Sequence, residues 1–140
     1  MDVATLMLIA YRAMDDRVVR SMQEAGFEVT VAQARIAQRI AEGGSRLTDL
    51  AEQAQVTKQT ASLLVAALEG EGLVERVPDP ADGRARLIRF TQKGNDASMQ
   101  ARQVVMAVEQ EWNDHLGPGL AACLREALTK LREVTDPYRA

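Results

Sequence analysis

Residues Ser45 to Gly94 read SRLTDLAEQAQVTKQTASLLVAALEGEGLVERVPDPADGRARLIRFTQKG, and their order decides the fold. From Thr57 to Glu71 the apolar residues Leu63, Leu64, Ala67 and Leu68 recur at the spacing of one buried helical face, while Lys58, Gln59, Thr60 and Ser62 gather at the N-terminal end. Leu47 to Gln53, started by Ser45 or Arg46, is a shorter helix whose Leu50 and Ala51 are placed to pack on the longer one. After Gly72, Leu73 to Val77 and Arg86 to Phe90 alternate as strands do, and the segment from Pro78 to Arg84 between them is rich in turn residues. Two helices followed by a hairpin predict a winged helix-turn-helix.

Upstream of this core, Val3, Leu6, Met7, Ala10, Met14, Val18 and Met22 step by three and four, opposite Arg12, Asp15, Asp16 and Arg20. That pattern predicts a long amphipathic helix closed by Gly26. Thr30 and Gln33 have the spacing of a capping box, opening a second helix that runs to about Glu42 before Gly43-Gly44. Downstream, Thr91 is placed to cap a helix from Gln92 to about Asn113, with Ala97, Ala101, Val104, Val105, Val108 and Trp112 on one stripe. Its 20 or so residues would span roughly 30 Å. Gly117-Pro118 then opens a last helix carrying Leu120, Leu124, Ala127, Leu128 and Leu131.

The expected fold class is therefore mainly α with a small β-hairpin wing. Residues 1–140 form one domain in this reading, with the winged helix-turn-helix at 30–94 and flanking helices at 1–26 and 95–140. The flanking stripes are more extensive than a winged helix of some 50 residues covers. A second copy of the chain is the economical partner, because a two-fold contact buries the same patch twice. The alternative is that these helices pack on their own winged helix.

Composition narrows the function classes. The chain has 140 residues, of which 46% are hydrophobic but only 4% aromatic, so the core must be aliphatic. No run approaches the roughly 18 apolar residues of a membrane span. The opening MDVATLMLIAYRAMDD lacks the basic region and cleavage site of a secretion signal, so a cytoplasmic protein is expected. Cys123 has no second cysteine with which to form a disulfide or a zinc site, and its place beside Leu120 and Leu124 favours packing over a thiol switch. The single histidine, His115, lies before Gly117 with no catalytic neighbours, so no enzymatic activity, cofactor or metal is expected.

The net charge of −3 argues against a protein that coats nucleic acid by bulk charge. Between Ser45 and Lys93, seven basic residues balance seven acidic ones. Arg46, Lys58, Arg76, Arg84 and Arg86 nevertheless lie at helix starts or on the hairpin, so placement carries the signal.

These residues bear a family likeness. Leu50-Ala51-Glu52, Val56 to Thr60, Leu68 to Arg76, Asp79-Pro80-Ala81-Asp82-Gly83-Arg84 and Thr91-Gln92-Lys93-Gly94 follow one another as in the MarR family of bacterial transcription regulators, which the chain resembles over nearly its whole length. The resemblance implies a homodimer, built through the first, fifth and sixth helices, that binds a pseudo-palindromic double-stranded DNA operator and is often released by a small ligand.

The expected DNA-contacting residues are Arg46, Thr57, Lys58, Gln59, Thr60, Ser62, Arg76, Arg84 and Arg86. Gln59 is suited to pair with adenine, Lys58 with guanine or a phosphate, and Arg84 with a narrow minor groove. Asp79 and Asp82 are expected to support the wing, either by holding the arginine or by simple turn chemistry. A crevice between the winged helix and the dimer helices is expected to take a small aromatic or apolar effector, with Tyr11, Met14 and Trp112 as candidate lining unless they are core residues. The competing reading is a winged helix that docks protein through Leu63 or the wing. A DNA-bound regulator would sit in the cytoplasm, on the nucleoid.

Overall fold

A computed structural model of the chain describes residues 1–138. Helix α1 (Val3–Glu24) begins where the Asp2 carboxylate accepts the Thr5 amide at 2.8 Å. It ends at Gly26, whose φ of +88° lets the Gly26 and Phe27 amides reach back to the Gln23 and Met22 carbonyls. Helix α2 (Val31–Ala37) opens with the reciprocal capping box of Thr30 and Gln33. It stops well short of Glu42, because the chain must turn to bring Ser45 beside the hairpin. The turn tightens through bonds from the Arg39 amide to Ile36 and from the Ile40 amide to Ala37, and the Ser45 hydroxyl accepts the Ala41 amide at 2.9 Å.

Helices α3 (Leu47–Gln53) and α4 (Lys58–Gly70) form the helix-turn-helix, with Gln55 at φ +55° in the turn between them. Ala61, Val65 and Leu68 are the buried face of α4. Together with Ile36, Leu50 and Ile88 they make a close-packed aliphatic core. This corrects the expected phase of the helix, since Leu63 is 68% exposed. The small Ala61 turns inward where α4 meets α2 and α3, and that choice rotates Leu63 to the outside.

Strands β1 (Val74–Asp79) and β2 (Asp82–Phe90) pair antiparallel from Val74 opposite Phe90 to Asp79 opposite Asp82, with an irregularity between Pro78 and Asp79. They run further than the alternation predicted, leaving only Pro80 and Ala81 at the tip. Pro78 is tolerated because β1 lies at the edge of the sheet. The other side of β2 takes Ser45, which exchanges both backbone bonds with Ile88 at 2.9 and 2.8 Å.

Helix α5 (Gln92–Leu116) leaves the sheet through a tight seam. The Thr91 hydroxyl donates to the Gly72 carbonyl at 2.6 Å and accepts the Gly94 amide at 3.1 Å. Lys93 Nζ donates to the Glu71 carbonyl at 2.6 Å. A Cβ at Gly94 would stand 1.9 Å from the Leu73 carbonyl oxygen, so only glycine fits.

The chain divides into two compact units within α5, one spanning Met1–Arg102 and the other beginning at Gln103. In the first unit, Gln100 donates to the Ser21 hydroxyl at 3.2 Å, tying the start of α5 to α1. Only Asp15, Val18 and Met22 are buried on α1, while Val3, Leu6, Met7, Leu8 and Ile9 stand exposed. In the second unit, Gly117 at φ +79° and Pro118 turn the chain into α6 (Pro118–Thr135), and Arg125 pairs with Glu109 at 3.0 Å. Val108 is buried, but α6 buries nothing, leaving Leu120, Leu124, Leu128 and Leu131 exposed. Cys123 is exposed as well, contrary to the expectation that it packs. No helix among the described residues is long and apolar enough to cross a membrane.

Candidate nucleic-acid interface

The N-terminal end of α4 is built by Thr57. Its backbone is extended, and its hydroxyl accepts the Thr60 amide at 3.1 Å and donates to the Thr60 hydroxyl at 2.9 Å. The amides of Lys58 and Gln59 precede the first helical hydrogen bond, at the positive end of the helix dipole. Thr57, Lys58, Gln59 and Thr60 are all exposed and Ser62 half-exposed. Leu63 lies one turn beyond Gln59 and Thr60 and joins their outward face. The main sequence reading places Leu63 on the buried face and only the protein-docking reading leaves it outside; the buried Ala61 is what sets the phase.

On the hairpin, Arg84 and Arg86 are exposed and two residues apart, so they share one side of β2. Neither makes an ion pair among the described residues, and the same holds for Lys58. Two other expected contacts are engaged within the protein. Arg76 lies 3.4 Å from Glu69 of α4, and Arg46 binds Asp79 through Nε at 2.9 Å and Nη2 at 2.6 Å. Arg89 is likewise matched by Glu75 directly across the sheet at 2.8 Å.

The two wing aspartates act on the backbone first. Asp79 Oδ1 accepts the Ala81 amide at 2.9 Å and Asp82 Oδ1 accepts the Arg84 amide at 3.1 Å. The Ala81 amide, followed by the Arg46 guanidinium, holds the Asp79 carboxyl below its ordinary value. Asp79 in turn raises the Arg46 pKa. The arginine that Asp79 binds is thus Arg46 of the α3 start, and the Arg84 side chain has no ion-pair partner among the described residues.

The candidate effector residues are placed separately. Tyr11 on α1 is exposed, its hydroxyl accepting from Arg35 Nε at 3.3 Å, with the Arg35 guanidinium 5.5 Å from the ring centre. Arg35 also reaches the buried Asp15 at 3.8 Å. Met14 is half-buried on α1, and Trp112 is half-buried on α5 in the second unit. A separate open cleft of about 690 Å³ in the first unit is lined by Gln23, Glu28, Val29, Thr30, Gln33 and Glu71, among others, and includes none of the three. Among the described residues no group of three or more histidine, cysteine, aspartate or glutamate side chains is placed to hold a metal.

A helix-turn-helix with an exposed polar helix start, followed by a hairpin whose Arg84 and Arg86 have no ion-pair partner among the described residues, is a winged helix. Residues 27–85 match the model of the MarR family. Solved structures extend the likeness along the chain. The apo form of wild-type MarR from E. coli superposes with a TM-score of 0.74 at 23% identity, over 94% of this chain and 97% of that one. The transcriptional regulator Tm0710 from Thermotoga maritima gives 0.66 at 28% identity, over 95% and 92%. A mutant of E. coli MarR in complex with operator DNA gives 0.71 at 23%, over 92% of each. No curated protein matches the chain by sequence.

Proposed function

We propose that the chain is a DNA-binding transcription regulator, a repressor that grips a pseudo-palindromic operator as a homodimer. The observation that carries this reading is the pairing of two exposed surfaces in one winged helix. One is the α4 start with Lys58, Gln59, Thr60, Ser62 and Leu63, and the other is the wing with Arg84 and Arg86, which pair with no carboxylate among the described residues. Gln59 reads adenine in the major groove, Lys58 takes guanine or phosphate, and Thr57 and the adjacent amides face the backbone. Arg84 enters a narrow minor groove. The relative crystallised on operator DNA, which has the same fold, supports this assignment.

Dimerisation is supported by the apolar side chains left bare on α1, from Val3 to Ile9, and on α6, from Leu120 to Leu131. Two copies present two recognition helices, which fit one face of B-DNA when about 34 Å apart. Binding to chromosomal DNA places the protein in the cytoplasm, on the nucleoid. A small aromatic effector is the third part of the proposal. Tyr11, backed by the Arg35 guanidinium, offers it a ring and a charge.

Titration of a labelled duplex at several salt concentrations tests the reading. Lys58→Ala and Arg84→Ala should each weaken binding, and loss of one phosphate contact per subunit should lower the salt slope by about one for each. Unchanged isotherms for both variants overturn the assignment. A protein-docking winged helix is the second reading, favoured by the exposure of Leu63, and it is what remains if the wild type binds no duplex even at low salt.

A further inference from the structure

We propose that Arg46 is a positioning residue for the wing: clamped on Asp79, it sets the direction of the hairpin and hence of Arg84, and makes no DNA contact of its own. This rests on the DNA-binding reading above. Arg46 occupies the N-cap of α3 but makes no capping bond there. Its Nε and Nη2 both converge on one oxygen of Asp79, a residue that is only 7% exposed. The other oxygen of Asp79 closes the tip turn on the Ala81 amide. Asp82 Oδ2 lies 3.9 Å from Nη2, while Asp82 Oδ1 holds the Arg84 amide. One continuous path of bonds therefore joins the start of α3 to the backbone of the tip arginine.

The lever geometry explains why such a clamp is needed. A two-stranded hairpin is marginally stable alone. Ser45 pairs with Ile88 towards the base of β2, and its chain neighbour Arg46 holds Asp79 at the outer end of β1. Two attachment points fix a direction, whereas one leaves a pivot. The charges agree with a clamp rather than a phosphate seat, since one arginine faces two aspartates and the group is net negative.

The test uses the full-length chain with Arg46→Gln, Asp79→Asn, Arg46→Lys and Arg84→Ala. Amide exchange in the free protein should accelerate at Ala81 and Arg84 in Arg46→Gln and Asp79→Asn, with α1 amides unchanged as the control for folding. Affinity for the duplex should fall about tenfold, or about threefold for each of two wings, with the salt slope falling no further than it does in Arg84→Ala. Arg46→Lys should recover part of the loss, because a point charge keeps the attraction but not the two-nitrogen geometry. Adding Arg46→Gln to Arg84→Ala should cost nothing further, because the clamp acts through that arginine.

Wing exchange that stays at the wild-type rate overturns the proposal. So does a fall in salt slope of about 0.9 per subunit combined with additivity to Arg84→Ala, which marks a direct phosphate contact. Failure of the wild type to bind duplex removes the DNA reading alone, and the exchange rates then decide by themselves whether Arg46 holds the wing.

Discussion

Gly94 shows how a single hydrogen can fix a junction. Its Cα faces the Leu73 carbonyl and the Phe90 ring so closely that a methyl would lie 1.9 Å from the first and 2.9 Å from the second. Because the nearest obstacle is backbone, it cannot rotate away. Gly94→Ala should destabilise the fold by about 2–3 kcal/mol, read from denaturant unfolding, whereas the same change at Gly83, which has open space around it, should pass almost unnoticed. Leu63 behaves in the opposite way. Its side chain is exposed, so Leu63→Ala should leave stability within about 0.5 kcal/mol of wild type. Duplex binding should nevertheless weaken if the side chain meets a thymine methyl, and replacing that thymine by uracil should erase the difference.

At this scale the sequence was legible where chemistry is local. The Thr30 and Thr91 caps and the turn aspartates were readable because their partners lie within three residues. The Arg46–Asp79 and Arg76–Glu69 pairs were not, because a partner across the fold leaves no mark in spacing.

Among the elements, the wing depends on an ionised carboxylate. Asp79 has its pKa lowered from 3.8, first by the Ala81 amide and then by Arg46. A depressed folded-state value means that the charged form stabilises the native wing above the unfolded-state pKa, and that this contribution disappears as pH falls through the folded one. The protection of the wing amides, their exchange rate relative to that of unstructured peptide at the same pH, should therefore stay level from pH 8 to about 5 and fall only below the ordinary carboxylate range. Asp79→Asn should remove the acid step, and a step centred near neutrality would contradict the assignment.

Helix α4 illustrates what periodicity cannot settle. Leu63, Leu64, Ala67 and Leu68 form an apolar stripe on paper, but the folded helix buries Ala61, Val65 and Leu68 instead. Both phases are helical, and the choice falls to the neighbours, since α2 and α3 approach where the side chain is small. The end of α2 falls about five residues before the expected Glu42 for a related reason, because the Ser45–Ile88 pairing outweighs further helical residues.

For the whole molecule, apolar surface is the decisive quantity. Val3, Leu6 and Ile9 on α1 and Leu120, Leu124, Leu128 and Leu131 on α6 are between 43% and 69% exposed in a single chain. Association through these faces predicts that Leu124→Glu and Ile9→Glu each shift the protein to monomer in sedimentation. They should also reduce binding to an inverted repeat while leaving the weak affinity for one half-site. A monomeric wild type at micromolar concentration would refute the dimer. The flanking helices were legible as stripes of leucine, methionine and valine. What covers them is a matter of surfaces between molecules, which hydrophobic period does not encode.

The seam of Glu71, Gly72, Thr91, Lys93 and Gly94 carries a genetic consequence. It ties the end of α4 to the start of α5 through the Thr91 and Lys93 side-chain bonds to the Gly72 and Glu71 carbonyls and through one missing side chain. Alleles at Gln59 should exchange one preferred operator for another, and second-site changes in the DNA should rescue them. Alleles at Gly94 should fail on every operator alike, with no DNA sequence able to suppress them.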